Sequence, residues 1–403
     1  MSRTVKGTWG ALALAALLAS PAQAQKAYGP GVSDTEIKLG QSTPLSGPAS
    51  AFGAGAGRAV VGFFEMLNEQ GGLNGRKISF TQLDNAYSAP KAVEQSRKLV
   101  EDVGILAEVG TIGTVPNVAI QKYLNSKQVP QLFITAGGRR FNDPKTFPWT
   151  VPLYPDFETE GRVIAKYILK TKPDAKIGVL YQNDDYGKDY VRGLRAGLGA
   201  KSSQIITEVS YELADPTIDS QVVQLKAAGI DTLIEQSSAK AAAQTIRKVH
   251  ELNWSPLHVI GGSTASVDTV LKPAGLDASK GLVTTQFLKQ PGDPAWADDE
   301  EMKTYKTFLK KYAPSANPDD YSVLVAYMNV NAVARVLKKC GDELTRDNLV
   351  RQATALHGER LPLMLPGISV STASGDYTPF KALRIATFDG TSWTLSGDPI
   401  VAE

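Results

Sequence analysis

The stretch QSTPLSGPASAFGAGAGR, residues 41–58, joins two segments of different periodicity. Before it, Ile37 and Leu39 alternate with polar residues, as in a β-strand, and after it apolar residues recur at helical spacing. We therefore predict a strand, a loop that extends to Gly57, and a helix that starts there. In an open α/β sheet, loops at the carboxyl ends of parallel strands bind ligands. Residues 41–58 thus predict one wall of a small-molecule cleft.

Strand-like and helix-like segments continue to alternate as far as residue 260. The alternation is interrupted once, near the proline-rich FPWTVPLYP of residues 147–155, and then restarts. Such alternation predicts parallel βαβ units, here in two lobes of similar size. After residue 281, three helical segments are followed by a hairpin signal at Asp389-Gly390. We interpret this last part as excursions of the chain back to the two lobes.

Residues 1–24 have the features of an export signal. Arg3 and Lys6 precede the apolar run ALALAALLA of residues 11–19, and Ala22 and Ala24 form an A-x-A cleavage site. The apolar run is too short to span a bilayer, and no later run reaches the ~20 apolar residues that a spanning helix needs. We expect cleavage near Ala24 and export to the periplasm, the alternative being a retained N-terminal anchor.

The composition argues against several classes of function. The formal net charge is +2, and two of the basic residues lie in the predicted signal, so a nucleic-acid or membrane-surface binder is not expected. A single cysteine, Cys340, excludes an intrachain disulfide. The three histidines do not have metal-ligand spacing, so we predict neither a metal site nor a cofactor. The run GAGAG of residues 53–57 lacks the G-x-G-x-x-G spacing of a dinucleotide site.

Four loops rich in Gly, Ser and Thr are expected at one edge of the sheets: residues 46–57, 110–116, 135–140 and 261–264. Backbone N–H groups and hydroxyls of such loops suit a carboxylate or another hydrogen-bonding ligand. The alternative is that each loop is an ordinary turn. No nucleophile–base pair is recognisable, and Ser263 resembles a nucleophile elbow only loosely, so an enzyme is not predicted. An exported hydrolase stays open as an alternative.

Three motifs carry a resemblance to a known family. They are PLSGP of residues 44–48 with Phe52-Gly53, GGLNGR of residues 71–76, and Asp185-Tyr186-Gly187. In this order and spacing they resemble the periplasmic solute-binding proteins of the leucine/isoleucine/valine-binding family, the type I fold that serves ABC importers. The resemblance covers essentially the whole chain after residue 24.

The resemblance implies an α/β fold of two Rossmann-like lobes with parallel central sheets, three hinge crossings and a ligand cleft between the lobes. The expected N-terminal lobe comprises residues 25–154 and 288–366, and the C-terminal lobe residues 155–287 and 367–403. A membrane permease is the expected partner, and the protein is expected to be a monomer. The resemblance also implies ligand contacts from Phe52, Ala49, Ser50, Ile112, Gly113, Thr114, Ala136, Gly137, Gly138, Arg139, Tyr186, Gln236, Ser237, Ser263 and Thr264.

One departure from the family pattern concerns the ligand. Amino-acid binders of this family place a carboxylate in the loop that matches residues 261–264, whereas this chain has no acid there before Asp268. A buried ammonium without an anionic partner is unfavourable by several kcal/mol. We therefore predict a small organic acid, aromatic or branched aliphatic, without an α-amino group. Arg139 or Arg140 could add a contact to its carboxylate, the alternative being that both point to solvent. A branched-chain or other amino-acid binder and a soluble sensor subunit of the same fold are the alternatives.

Overall fold

The structure is a computed structural model that describes residues 1–2 and 26–403. The predicted signal peptide, apart from its first two residues, lies outside the described part. The strands of the described part are β1 (Ala27–Tyr28), β2 (Glu36–Thr43), β3 (Lys77–Asp84), β4 (Ala107–Val109), β5 (Gln131–Ile134), β6 (Thr150–Pro152), β7 (Ile177–Gln182), β8 (Ile205–Tyr211), β9 (Thr232–Gln236), β10 (Leu257–Ile260), β11 (Val283–Gln286), β12 (Glu343–Leu344), β13 (Ala382–Phe388) and β14 (Trp393–Val401).

The α-helices lie between these strands, as the alternating pattern predicts. None of the helices in the described residues is long and apolar enough to cross a membrane. They are α1 (Ser50–Glu69), α2 (Ala89–Arg97), α3 (Thr114–Ser126), α4 (Phe157–Thr171), α5 (Asp185–Leu198), α6 (Asp219–Ala227), α7 (Ala239–Glu251), α8 (Lys272–Ala274), α9 (Leu276–Ser279), α10 (Glu300–Tyr312), α11 (Tyr321–Cys340) and α12 (Arg346–Ala353).

Two main sheets define two lobes. The five strands of the first sheet are all parallel and have the order β3-β2-β4-β5-β6. The second sheet has the order β14-β13-β11-β10-β9-β7-β8, in which only the β13 and β14 pairings are antiparallel. The first sheet and the helices that pack on it form the first lobe, and the second sheet with its helices forms the second lobe. The predicted α/β fold with parallel central sheets is confirmed.

Both sheets share one strand order. Numbered within its own lobe, each parallel set runs 2-1-3-4-5, with β2 beside β4 in the first lobe and β7 beside β9 in the second. The chain moves outward from this pair in opposite directions, so the loops that leave the two strands diverge. A crevice forms at the carboxyl ends of such a strand pair, and this is where open α/β sheets bind ligands.

The chain passes between the sheets three times. It leaves the first sheet after β6, returns after β11 to form α10 and α11, and goes back to the second sheet at β13. Helices α10 and α11 pack against α1, so they belong to the first lobe. The hairpin signal at Asp389-Gly390 is confirmed, because Asp389 N–H donates to the Ser392 carbonyl between β13 and β14. The residue boundaries of the lobes stay a prediction.

The predicted loop through Gly57 is wrong, because α1 already begins at Ser50. The glycines of residues 53–57 therefore lie in a helix and permit close packing. A Cβ on Gly53 would lie 2.0 Å from the Pro44 carbonyl oxygen, and one on Gly57 would lie 2.8 Å from Leu45 Cδ2. The glycine-rich sequence lets the first turns of α1 lie directly on the preceding loop. Because glycine is a poor helix former, the sequence predicts a loop at these residues and not a helix.

Replacing Gly53 with Ala should destabilise the protein, although Ala is the better helix former. The new methyl group would overlap the Pro44 backbone, and overpacking of this kind costs about 1–3 kcal/mol. Gly55→Ala is the matched control in the same helix, where the nearest atom is a Val323 methyl at 3.0 Å. Urea unfolding should show a clear loss of stability for Gly53→Ala and a smaller effect for Gly55→Ala. Equal or greater stability of Gly53→Ala would contradict the proposed close contact.

Candidate ligand-binding site

A cavity of about 790 Å³ lies between the lobes, and part of it is open to solvent. The residues that line it come from the ends of strands in both sheets and from the start of α11. They are Pro48, Ala49, Phe52, Tyr87, Ile112, Gly113, Thr114, Thr135, Ala136, Tyr154, Phe157, Gln182, Tyr186, Leu213, Ser237, Ser238, Ser263, Tyr321, Ser322 and Val325.

The strand order explains why these residues meet. Phe52 and Thr114 follow β2 and β4, the pair at which the first sheet reverses direction. Tyr186 and Ser237 follow β7 and β9, the corresponding pair of the second sheet. The cavity therefore lies where the carboxyl-end crevices of the two sheets face each other.

Asp84 fixes the loop that carries the first-lobe wall. Its carboxylate accepts hydrogen bonds from the backbone N–H groups of Leu45 and Ser46, from the Ser46 hydroxyl and from the Lys91 ammonium. Partial burial favours a higher pKa for Asp84, but the hydrogen bonds from Ser46, Ala86 and Lys91 outweigh it and hold that pKa well below its usual range. The ionised Asp84 thus anchors the turn that leads into α1.

Phe52 lies in the first turn of α1 and reaches both lobes. Its half-buried ring packs against the core around β2 and α11 and also against a second-lobe cluster that includes Ala239 and Ile260. On the opposite wall, the Phe157 ring meets the Tyr186 ring edge to face, with centroids 4.9 Å apart. Aromatic side chains therefore form a large part of the cavity surface.

The N-terminus of α3 faces the cavity through Gly113 and Thr114. Gly113 has a φ of +97°, which favours glycine, and the Tyr87 ring occupies the space that a Cβ there would need. Burial raises the pKa of Tyr87, and the nearby charge of Asp184 in the second lobe adds to this. The backbone amides of Thr114 and Val115, close to the Tyr87 hydroxyl, lower this pKa and so act in the opposite direction. Tyr87 therefore lies at the positive end of the α3 dipole.

The second-lobe wall is a connected hydrogen-bond network. The Tyr186 hydroxyl donates to the Ser237 carbonyl oxygen at 2.9 Å and lies 2.7 Å from the Ser263 hydroxyl. The Ser237 hydroxyl donates to Glu235, whose second carboxylate oxygen lies 3.0 Å from His258 Nε2. Burial raises the pKa of Tyr186 well above its usual value, so the phenol stays protonated and keeps these bonds.

None of the cavity-lining residues in the described chain is charged. The buried acids of the second lobe point elsewhere: Glu160 accepts from Gly262 N–H and the Thr285 hydroxyl, and Asp184 caps the start of α5. Asp268, the first acid after residues 261–264, pairs with Lys272 and Asn317 outside the cavity. No group of His, Cys, Asp and Glu in the described residues could hold a metal ion.

The structure brings most of the predicted contacts together at the cavity. They are Ala49, Phe52, Ile112, Gly113, Thr114, Ala136, Tyr186, Ser237 and Ser263. Six others lie beside it without lining it: Ser50, Gly137, Gly138, Arg139, Gln236 and Thr264. Gly137 instead allows the chain to pass close to the Pro155 carbonyl, and Thr264 donates its hydroxyl hydrogen to the Gly261 carbonyl. The buried Gln236 amide lies against Gly261.

The two arginines point away from the cavity in this structure. The Arg139 side chain is 65% exposed, and its guanidinium lies 3.7 Å from Glu158. Arg140 hydrogen-bonds Gln121 and lies 3.7 Å from Asp185 of the second lobe. Both guanidinium groups lie at the surface between the lobes, and the Arg139 backbone N–H donates to the Asp189 carboxylate there. The predicted carboxylate contact by an arginine therefore has no support from this geometry.

Several lining residues were not predicted. Gln182 is the polar last residue of the buried strand β7, a position that the sequence could have indicated by the rule used for the other strands. Tyr321, Ser322 and Val325 belong to α11, which is about 270 residues after Phe52 in the chain. No local sequence signal shows that this helix returns to the cavity.

The fold and cavity define a class, the two-lobed α/β binding proteins. The family model of periplasmic binding proteins matches residues 36–391, and the chain belongs to this family. The Leu/Ile/Val-binding protein homolog 3 of Brucella melitensis is 25% identical over 369 residues, which cover 89% of this chain and 91% of the relative. The resemblance seen in the sequence is confirmed.

Solved structures agree on the fold. The structure of a branched-chain amino acid ABC transporter from Thermus thermophilus with bound valine superposes with a TM-score of 0.80, at 17% identity over 92% of this chain and 97% of the other. A solute-binding protein of R. palustris in complex with benzoate gives a TM-score of 0.75, at 19% identity over 91% and 98% of the two chains.

Tyr186→Phe should reduce the free energy of unfolding by about 1–3 kcal/mol, because it leaves the buried Ser237 carbonyl without its donor. The matched control is Tyr181→Phe in β7, whose hydroxyl makes no side-chain hydrogen bond within the described residues. Urea unfolding of both variants measures the difference. A Tyr186→Phe variant as stable as the control would show that the network contributes nothing to stability.

Proposed function

We propose that the protein is the ligand-capture subunit of an ABC importer and that it binds a small organic acid without an α-amino group in the periplasm. The observation that carries the ligand class is the absence of any charged residue among those lining the cavity in the described chain. An ammonium group enclosed there would lose its hydration without gaining an anionic partner, at a cost of several kcal/mol.

A carboxylate has a better position available. The N-terminus of α3 presents the backbone amides of residues 114 and 115 together with the Thr114 side chain, and a helix N-terminus stabilises an anion. The remaining surface is formed largely by Phe52, Ile112, Tyr154 and Phe157, which suits an aromatic or branched aliphatic group. The proposed ligand therefore has one anionic end and one apolar body.

Capture needs a difference in contacts between an open and a closed form. Phe52 and Tyr186 reach the ligand from opposite lobes, so a ligand that touches both stabilises the closed form by contacts that are absent in the open one. The three chain passages between the sheets provide the hinge. The closed protein would then deliver the ligand to a membrane permease.

Pairs of acids that differ only in the α-amino group test the ligand class. We expect 4-methylpentanoate and 3-phenylpropanoate to bind at least about tenfold more tightly than leucine and phenylalanine, because about 1.4 kcal/mol corresponds to that ratio. Isothermal titration of the mature protein gives the affinities. Tight binding of leucine would contradict the proposal and favour an amino-acid binder. Mass spectrometry of the ligand retained on purification is an independent test.

Phe52→Ala should weaken binding of the preferred acid by about 1–3 kcal/mol, because the ring contributes apolar contact that the methyl group cannot replace. Phe147→Ala is the matched control, since Phe147 is half-buried near Arg140 and does not line the cavity. Circular dichroism should show both variants folded. Unchanged affinity of Phe52→Ala would place Phe52 outside the binding site.

A further inference from the structure

In the second-lobe wall, the direction of each hydroxyl hydrogen follows from the neighbouring groups that can only accept. A carbonyl oxygen can only accept, so the Tyr186 hydroxyl hydrogen points to the Ser237 carbonyl. The Ser263 hydroxyl, 2.7 Å from Tyr186 Oη, must then donate its own hydrogen to that oxygen. The carboxylate of Glu235 also only accepts, so the Ser237 hydroxyl hydrogen points to Glu235.

These three side chains therefore have no hydrogen left to donate to a ligand. Tyr186, Ser237 and Ser263 all line the cavity, and we call them the acceptor patch. The hydroxyl oxygens of Ser237 and Ser263 each retain a lone pair that no other group of the network uses. His258, paired with Glu235, holds the carboxylate from the far side and keeps this direction fixed.

The first-lobe wall, in contrast, offers hydrogen-bond donors. The Tyr87 hydroxyl lies beside the backbone amides of Thr114 and Val115 at the start of α3, and backbone amides can only donate. Thr114, the first residue of α3, adds another hydroxyl on the same side. The lining is thus uncharged but polarised, since the start of α3 on the first lobe donates and the acceptor patch on the second lobe accepts.

We infer that the ligand carries a neutral hydrogen-bond donor, such as a phenolic hydroxyl or an amide N–H, at the end remote from its carboxylate. This inference rests on the proposed function and extends it from organic acids to donor-bearing organic acids. The carboxylate lies at α3, and the donor lies at the acceptor patch of the second lobe. A ligand without that donor leaves the free lone pairs of the acceptor patch without hydration or a donor when the lobes close.

Hydroxybenzoates and their analogues without a donor test the inference. Isothermal titration compares 3- and 4-hydroxybenzoate with the matching fluorobenzoates, which resemble them in size, and with the methoxybenzoates, which keep the oxygen. We expect one hydroxybenzoate to bind at least about tenfold more tightly than both of its analogues. Equal affinity of the three compounds overturns the inference and leaves the proposed function intact. Failure of all acids, aliphatic ones included, overturns both.

Two serine variants test which residues of the acceptor patch accept the hydrogen bond from the ligand. Ser263→Ala removes one oxygen of the acceptor patch, and the hydroxy-to-fluoro affinity ratio should fall several-fold in it or in Ser237→Ala. Ser210→Ala is the matched control, because Ser210 lies in β8 of the second lobe without lining the cavity, and it should keep the wild-type ratio. Thermal unfolding identifies a variant that has lost its fold. An unchanged ratio in both patch variants shows that the donor is bound elsewhere and overturns the assignment.

Discussion

The position of the cavity depends on one constraint, the shared 2-1-3-4-5 order of the two parallel sheets. Because the chain departs in opposite directions from β2 and β4, and again from β7 and β9, each sheet leaves a crevice at its carboxyl edge. The loops in these crevices cannot satisfy all their polar groups by strand pairing. The two crevices face each other, and together they enclose a site that neither lobe forms alone.

Much of this architecture follows from the sequence, but different features of the sequence predict different parts of it. Buried strands such as TLIEQ and helices at regular spacing predict two parallel sheets from periodicity alone. Phe52 and Tyr186 were predicted at the site from motifs that resemble a known family, and Thr114 from a glycine-rich loop that follows a strand. Periodicity says nothing about α11, whose Tyr321 reaches the cavity through a contact distant in sequence.

The errors have physical causes as well. The glycines of residues 53–57 predict a flexible loop when only backbone freedom is considered, yet their missing side chains are what allow α1 to lie on Pro44. The sequence left open whether Arg139 or Arg140 contacts a carboxylate or points to solvent, because the direction of a side chain depends on its competing partners. Here Glu158 of the second lobe attracts the Arg139 guanidinium toward the surface.

Charge and hydrogen-bond direction together restrict the ligand more than either does separately. An uncharged cavity alone would admit any small apolar molecule, and a helix N-terminus alone would admit any anion. The buried pair of Glu235 and His258 is outside the cavity, yet it determines which way the Ser237 hydroxyl points and hence that the second lobe offers acceptors. Under the proposed function, a residue without ligand contact thereby contributes to selectivity, because it decides where the hydrogen atoms of the lining residues point.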